Sequence, residues 1–244
     1  MELYIIRHGQ STNNALEDST QRSFDPDLTP AGQQQAERVA AYLADGSHRD
    51  PWMSPGIGFT HSDAEPTFGI THLYTSAMHR AMLTAAPIAR ALNLKPQIWL
   101  DIHEHGGLFL ENDSVVTGYP GMTRQQIGSS FPEYVIPDGV TDQGWYDPAG
   151  GQESLTRCYG RAMTVAEELR RRARAEDADA RIALVTHGTF IDALIKALFN
   201  LLPSRHMFFF HYNTAITRID FVEKGRVYVR HVNRIDHLPA TLVT

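Results

Sequence analysis

A chain of 244 residues with 42% hydrophobic and 20% charged residues has the balance of a soluble globular protein, not that of a disordered or membrane chain. A formal charge of -6 leaves no basic footprint of the kind a general nucleic-acid binder needs. Cys158 is the only cysteine, which excludes an intrachain disulfide, and the length suits one domain over residues 1–244 with elaborated loops.

Residues 2–7 form a short apolar run that stops at Arg-His-Gly. The chain start lacks the basic region and long apolar stretch of a secretory signal, and no segment reaches about 18 uninterrupted apolar residues, so a cytoplasmic protein without a membrane partner is expected. Thr29 and Pro30 provide an N-cap and a first-turn proline, after which Ala36, Val39, Ala40 and Leu43 recur on one helical face. Residues 46–72 are rich in Gly, Pro, Asp and Ser and exceed the roughly 2–6 residues that usually join elements. A second apolar run at 73–76 leads into a helix over about 77–92. Another long stretch of loop composition covers 106–150. A third helix is predicted from about 154 to 174. Its basic run, Arg170 to Arg174, follows Glu167 and Glu168 and reads as a solvated helix end where cations suit the dipole. The third apolar run, 182–187, precedes a helix over 190–202. Residues 214–222 and 226–232 alternate around Glu223–Lys224–Gly225 as a hairpin.

The pattern of apolar strand, polar cluster and helix occurs three times. It predicts an α/β protein with a mostly parallel sheet covered on both faces, its functional groups beyond the carboxyl ends of the strands.

Three of those strand ends carry chemistry. RHGQSTNNA at 7–15 places a guanidinium and an imidazole where backbone approaches an anion closely. Phosphoryl transfer through histidine needs a neutral imidazole nitrogen aimed at phosphorus, and donors on the equatorial oxygens where charge gathers. YTSAMHRAMLTA at 74–85 adds Ser76 and, one helical turn on, Arg80, whose planar fork suits two phosphate oxygens. LVTHGTF at 184–190 adds His187 and Gly188, the histidine as a further donor.

RHGQSTNN, LTPAG at 28–32, YTSAMHRA, Glu104, GGQES at 150–154 and VTHG at 185–188, in this order over nearly the whole chain, resemble the histidine phosphatase superfamily, its phosphoglycerate-mutase-like branch (branch 1). The resemblance implies a three-layer α/β/α sandwich with a mostly parallel central sheet. It implies His8 as nucleophile and Arg7, Arg80 and His187 as the phosphate clamp, with Gln10, Ser11, Asn14 and Gly188 in the same pocket. Glu104 fits the position of the acid that protonates the leaving oxygen, while Asp101, Asp63 and Glu65 are other carboxylates within range. Glu153 and Arg161 read as scaffold. Asn213 and HVNRIDHL at 231–238 also resemble family positions, yet by composition they are turn and strand-end residues.

The cluster His103–Glu104–His105 raises the question of a metal. Strand alternation would put the two histidines on one face and the glutamate on the other, giving two ligands where a site needs three or four, so no metal and no cofactor is expected. The leading function is a phosphomonoester hydrolase acting on a small-molecule phosphate ester through a phosphohistidine. A bisphosphoglycerate-dependent mutase is the alternative, and a phospho-ligand binder without turnover is the second. Against the mutase, Glu104 is followed by His-Gly-Gly where the mutase pattern has Arg-His-Tyr-Gly, and residues 106–150 hold a single arginine, Arg124, instead of an arginine-rich cap. The two long stretches are expected to form a cap that selects the leaving group. Phe59, Phe68, Phe109, Tyr119, Trp145 and Tyr146 favour an aromatic or apolar ester, and a homodimer contact through the same residues stays open.

Overall fold

Strand β1 (Glu2–Arg7) has no exposed position, and a strand without polar alternation needs cover on both faces. The computed structural model supplies that cover, and describes residues 1–49, 52–53, 60–61, 67–174, 178–222 and 226–244. Along the chain, β1 is followed by helix α1 (Pro30–Ala44), the short pair β2 (Trp52–Met53) and β3 (Thr60–His61), and β4 (His72–Thr75). Helix α2 (His79–Leu92), β5 (Gln97–Ile98), β6 (Phe109–Asn112), β7 (Val115–Gly118) and α3 (Arg124–Ser130) come next. Helix α4 (Leu155–Arg174), β8 (Arg181–Thr186), α5 (Gly188–Leu198), β9 (Ile216–Phe221) and β10 (Val227–Arg234) complete the order.

Six strands form the main sheet in the order β10-β9-β1-β8-β4-β5. β1, β8, β4 and β5 run parallel, while β9 and β10 pair antiparallel on one side. Leu3, Ile5, Ile182 and Leu184 pack against α4 and α5 on one face. Tyr4, Ile6, Ala183 and Val185 pack against α1 and α2 on the other. The expected three-layer α/β/α sandwich is therefore present, and it follows from the two-residue period of the strands.

Several boundaries move for identifiable reasons. α2 begins at His79, not at 77, because Met78 is extended and its N–H donates to Ser76 Oγ at 3.2 Å. α5 ends at Leu198, not at 202, where Asn200 turns left-handed and Arg170 donates to Leu198 O at 2.7 Å. The basic run is a solvated face only in part, with Arg171 and Arg174 exposed. Arg172, by contrast, is buried, donates to Tyr74 Oη at 2.7 Å and lies over its ring, while Arg171 pairs with Glu168 at the surface. Phe68, expected over the site, lies instead in the core against Tyr4 and Tyr42. Asp63, Glu65, Phe59 and the turn at 223–225 lie outside the described residues.

The stretch 106–150 is folded, not merely a loop. β6 and β7 form a hairpin whose turn uses left-handed Asp113 and Ser114. α3 carries a capping box between Thr123 and Gln126, and Ile127, Phe131 and Val140 share a small core with Ala77, Met82 and Ile98. Arg124 donates to the carbonyls of Ile136, Pro137 and Val140. At the start of β1, Glu2 joins Arg49, Arg218 and Arg181 in a buried ionic cluster at the opposite end from Arg7 and His8. Among the described residues no helix is long and apolar enough to cross a membrane.

Candidate active site

β1 and β8 are neighbours with Arg7 paired to Thr186, so the next residue on each strand, His8 and His187, emerges side by side. The segment after His8 crosses the N-terminus of α1 in close contact. A Cβ on Gly9 would meet Gly32 O at 2.6 Å, and one on Gly32 would meet Gln10 O at 2.1 Å, so both positions require glycine. The His8 backbone is braced further by Asn213 Nδ2, which donates to its carbonyl at 2.8 Å, and the Gly9 N–H donates to Thr84 Oγ1 at 3.0 Å.

His8 is 2% exposed. Its Nδ1 lies 2.6 Å from Gly9 O, a contact that only a protonated Nδ1 can make, so in the neutral ring the lone pair is on Nε2. Arg80 Nε donates to that Nε2 at 3.2 Å. Burial, with Arg80 and Arg7 beside it, holds the imidazole well below the usual histidine range and therefore neutral. His187 is fully buried with its ring 5.0 Å from that of His8. It contacts Ser76 Oγ through Nε2 at 2.9 Å, and its Nδ1 makes no hydrogen bond.

Arg7 donates through Nη1 to His211 O at 2.5 Å, while its Nε is buried and unpartnered. The backbone of Gly188 approaches that nitrogen. Arg80 sits in the first turn of α2, with Asp25 Oδ1 3.9 Å from its Nη1. Asp25 also accepts the His79 N–H at 3.0 Å, and burial raises its carboxyl to about 6 despite the arginine.

Arg7, His8, Arg80, Ser11, Asn14 and Glu104 line one small cavity of about 120 Å³, together with Asn13, Arg22, Ser23, Phe24, Pro26, Gly107 and Phe109. Of the residues expected there, Gln10 has its Oε1 accepting from Thr29 Oγ1 at 2.7 Å and does not line the cavity; His187 and Gly188 do not line it either, but they stand directly beside His8 and Arg7. Ser11 and Asn14 cap each other across a short helical turn, both Ser11 donors going to Asn14 Oδ1.

Glu104 accepts three backbone N–H groups, from His105 at 2.8 Å, Phe190 at 3.0 Å and Thr189 at 3.3 Å, and so stands at the N-terminus of α5. Its segment is clamped from behind. Arg161 Nη1 donates to Asp101 O at 2.6 Å and His103 O at 2.8 Å, while its Nε and Nη2 grip Glu153 at 3.0 and 2.6 Å. The expected strand over 103–105 is absent, because left-handed Gly106 and Gly107 turn the chain there. His103 packs on Trp145 and Tyr146, its Nδ1 is 2.9 Å from Glu104 O, and burial holds it down to about 4. Among the described residues no three His, Cys, Asp or Glu side chains gather as metal ligands. Asp101 faces a different cavity, with Glu153, Arg157 and Arg161.

Sequence reasoning missed Asp25, Arg22, Phe24 and Thr84. Asp25 and Arg22 lie between recognisable elements, and nothing in their spacing marks them as facing Arg80 or the cavity.

The chain is similar to known proteins in sequence and in fold. A phosphoglycerate mutase-like protein 4 of Arabidopsis thaliana is 29% identical over 199 residues, covering 80% of this chain and 70% of the relative. A probable phosphoglycerate mutase of Klebsiella pneumoniae is 25% identical and covers 91% of this chain and 85% of the relative. Among solved structures, phosphoserine phosphatase of Entamoeba histolytica in complex with 3-phosphoglyceric acid superposes with a TM-score of 0.60 at 21% identity, covering 98% and 99% of the two chains. A mycobacterial glucosyl-3-phosphoglycerate phosphatase gives 0.56 at 20% identity, covering 96% and 99%. The sequence matches the histidine phosphatase superfamily (branch 1) over residues 3–56 and 63–234, and the chain belongs to that family.

Proposed function

We propose that this protein hydrolyses small phosphate monoesters through a phosphohistidine on His8, without a metal ion. The observation that carries this reading is the state of His8: a buried neutral imidazole, its Nδ1–H spent on Gly9 O and its Nε2 lone pair beside Arg80 in the cavity. On substrate binding Arg80 exchanges the imidazole for phosphoryl oxygens, and the buried Nε of Arg7 gains its missing acceptor. The Nε2 lone pair attacks phosphorus and the ester P–O bond breaks. Glu104 gives its proton to the departing oxygen. Water then attacks the phosphorus of the phosphohistidine, Glu104 takes back a proton, and the P–N electrons return to Nε2 as phosphate leaves. The folded stretch 106–150 acts as the cap, since Gly107 and Phe109 line the cavity and Tyr119 stacks on Phe24 at 4.2 Å.

A mutase shares the first half of this sequence and is kept in view by the names of the sequence relatives. The hydrolase is favoured because the one arginine of 106–150, Arg124, is held by three backbone carbonyls and is not a cavity-lining residue. The test is phosphate release from a panel of esters in chelator, with His8→Ala and Glu104→Gln in parallel. His8→Ala should lose turnover by several orders of magnitude on every ester. Glu104→Gln should lose far more on alkyl phosphates than on p-nitrophenyl phosphate, whose leaving group needs no proton. Turnover by His8→Ala, or transfer between hydroxyls without release, would overturn the reading.

A further inference from the structure

The contact that sets the tautomer of His8 runs to its own chain neighbour. Nδ1–H is given to the carbonyl of Gly9 at 2.6 Å. That carbonyl belongs to the Gly9–Gln10 peptide group, and because the group is planar, whatever holds its N–H also aims its oxygen. The Gln10 N–H is held by Gln35 Oε1 at 2.7 Å. Glycine is the residue at which the backbone turns most freely, so at Gly9 the direction of the carbonyl is set by hydrogen-bond partners more than by the chain itself. Gln35 is fully buried and stands one turn after Gly32 on α1, the glycine that lets the helix approach this segment.

Gln35 is itself held in a closed ring of bonds. Its Nε2 donates to Leu242 O at 2.7 Å and to Thr244 Oγ1 at 2.9 Å. A carbonyl can only accept, so the amide presents its NH2 there and its oxygen to Gln10. Thr244 Oγ1 donates in turn to Asn213 Oδ1 at 3.2 Å, and the Asn213 N–H donates to Thr244 O at 2.9 Å. Asn213 Nδ2 closes the ring on the His8 carbonyl at 2.8 Å. The peptide groups on either side of Gly9 are thus joined through Gln35, Thr244 and Asn213, none of which lines the cavity.

Resting on the reading of His8 as nucleophile, we infer that Gln35 is a positioning residue for the reaction, acting with Thr244 and Asn213 to keep the His8 proton on Nδ1 and the lone pair on Nε2. In the free protein Arg80, donating to Nε2, supports the same tautomer. Once Arg80 turns to phosphoryl oxygens that support is gone, and Gly9 O alone keeps the proton off the attacking nitrogen. The contact strengthens as Nε2 bonds to phosphorus, since the ring then carries positive charge and Nδ1–H becomes a charge-assisted donor.

Three variants test this. Gln35→Met keeps the length of the side chain and removes its acceptor. Thr244→Val keeps the shape of an exposed residue without its hydroxyl, and Thr244→Ser keeps the hydroxyl. The first readout is the Nδ1 proton of His8 by NMR in the resting protein. In the parent it should give a far-downfield resonance, protected from exchange with water and absent from His8→Ala. It should move upfield or exchange away in Gln35→Met, move less in the same direction in Thr244→Val, and stay in place in Thr244→Ser. The second readout is kinetic. In Gln35→Met kcat on p-nitrophenyl phosphate should fall by about tenfold or more, the size of one buried hydrogen bond left unmade, while the Ki of inorganic phosphate stays within about twofold because Arg7 and Arg80 are untouched. If Gln35→Met does not fold, the Thr244 pair decides on the same two readouts. A parent without the resonance, a resonance that the folded variants leave unmoved, or a moved resonance with parental kcat would overturn the inference. So would a Ki that rises as kcat falls, which marks a general loosening of the pocket. The resonance is read without turnover, so a resonance that responds as stated in a protein that hydrolyses no ester would defeat the phosphatase reading and leave the hold on His8 standing.

Discussion

Asp25→Asn should make the protein more stable at neutral pH and change how its stability depends on pH. The side chain of Asp25 is 6% exposed, and its carboxyl is raised to about 6 from an ordinary value of 3.8 because burial outweighs the attraction of Arg80 at 3.9 Å. A raised folded value means that folding favours the protonated form. That contribution is fully present below about pH 4 and is lost as pH rises through about 6. Two units correspond to about 3 kcal/mol between those limits. Asparagine does not titrate, and its Oδ1 still accepts the His79 N–H that the aspartate accepts at 3.0 Å. The stability of Asp25→Asn relative to the parent should therefore increase by about 3 kcal/mol from pH 4 to pH 7. Urea unfolding of both proteins at several pH values, in buffer free of phosphate, measures the difference directly. Curves that stay parallel across this window would refute the reasoning and show that Arg80 compensates the buried carboxylate fully.

Arg161→Met should lower stability by about 3–5 kcal/mol, because it leaves Glu153 buried without its partner, and it should reduce kcat by releasing the carbonyls of Asp101 and His103 that set the position of Glu104. Denaturant unfolding and steady-state kinetics separate the two effects, and an unchanged kcat in the folded variant would remove Arg161 from the positioning of Glu104. Gly107→Ala places a Cβ 2.0 Å from Tyr146 Cζ at a backbone φ of +71°, so a loss of about 1–3 kcal/mol is expected. Adding Tyr146→Ala should recover only the steric part, since the left-handed strain stays. Full recovery, read by thermal unfolding, would show that the backbone there is unstrained.

The strands and the residues that end them were legible because they are contiguous. Apolar runs stop at Arg7-His8, Ser76 and His187, and the sheet brings those ends together by register alone. What stayed hidden depends on contacts between distant segments. Asp25 matters through α2, 54 residues further on, and no local pattern announces it. Asn213 reads as a turn residue by composition, yet it holds the His8 carbonyl across 205 residues. Arg172 looked solvated within a run of arginines, but helical phase turns it onto Tyr74 while Arg171 faces water. The 106–150 stretch looked like loop because its glycines and prolines outnumber its periodic positions, although a few apolar anchors suffice to fold it onto α2.

The placement of His8 and His187 on adjacent parallel strands has a consequence for how such a protein can change. Their rings are 5.0 Å apart, close to the roughly 4.8 Å between neighbouring strands, so the spacing of the two imidazoles is a property of the sheet. Lengthening or replacing a connection does not stretch it. Arg22, Phe24 and Phe109 lie on connections and on a separate hairpin, where insertions are tolerated. Glu104 and Asp25 share those connections, five residues before Phe109 and one after Phe24, so exchanging rim segments leaves the spacing of the two imidazoles untouched but shifts the surroundings of Arg80 and Glu104.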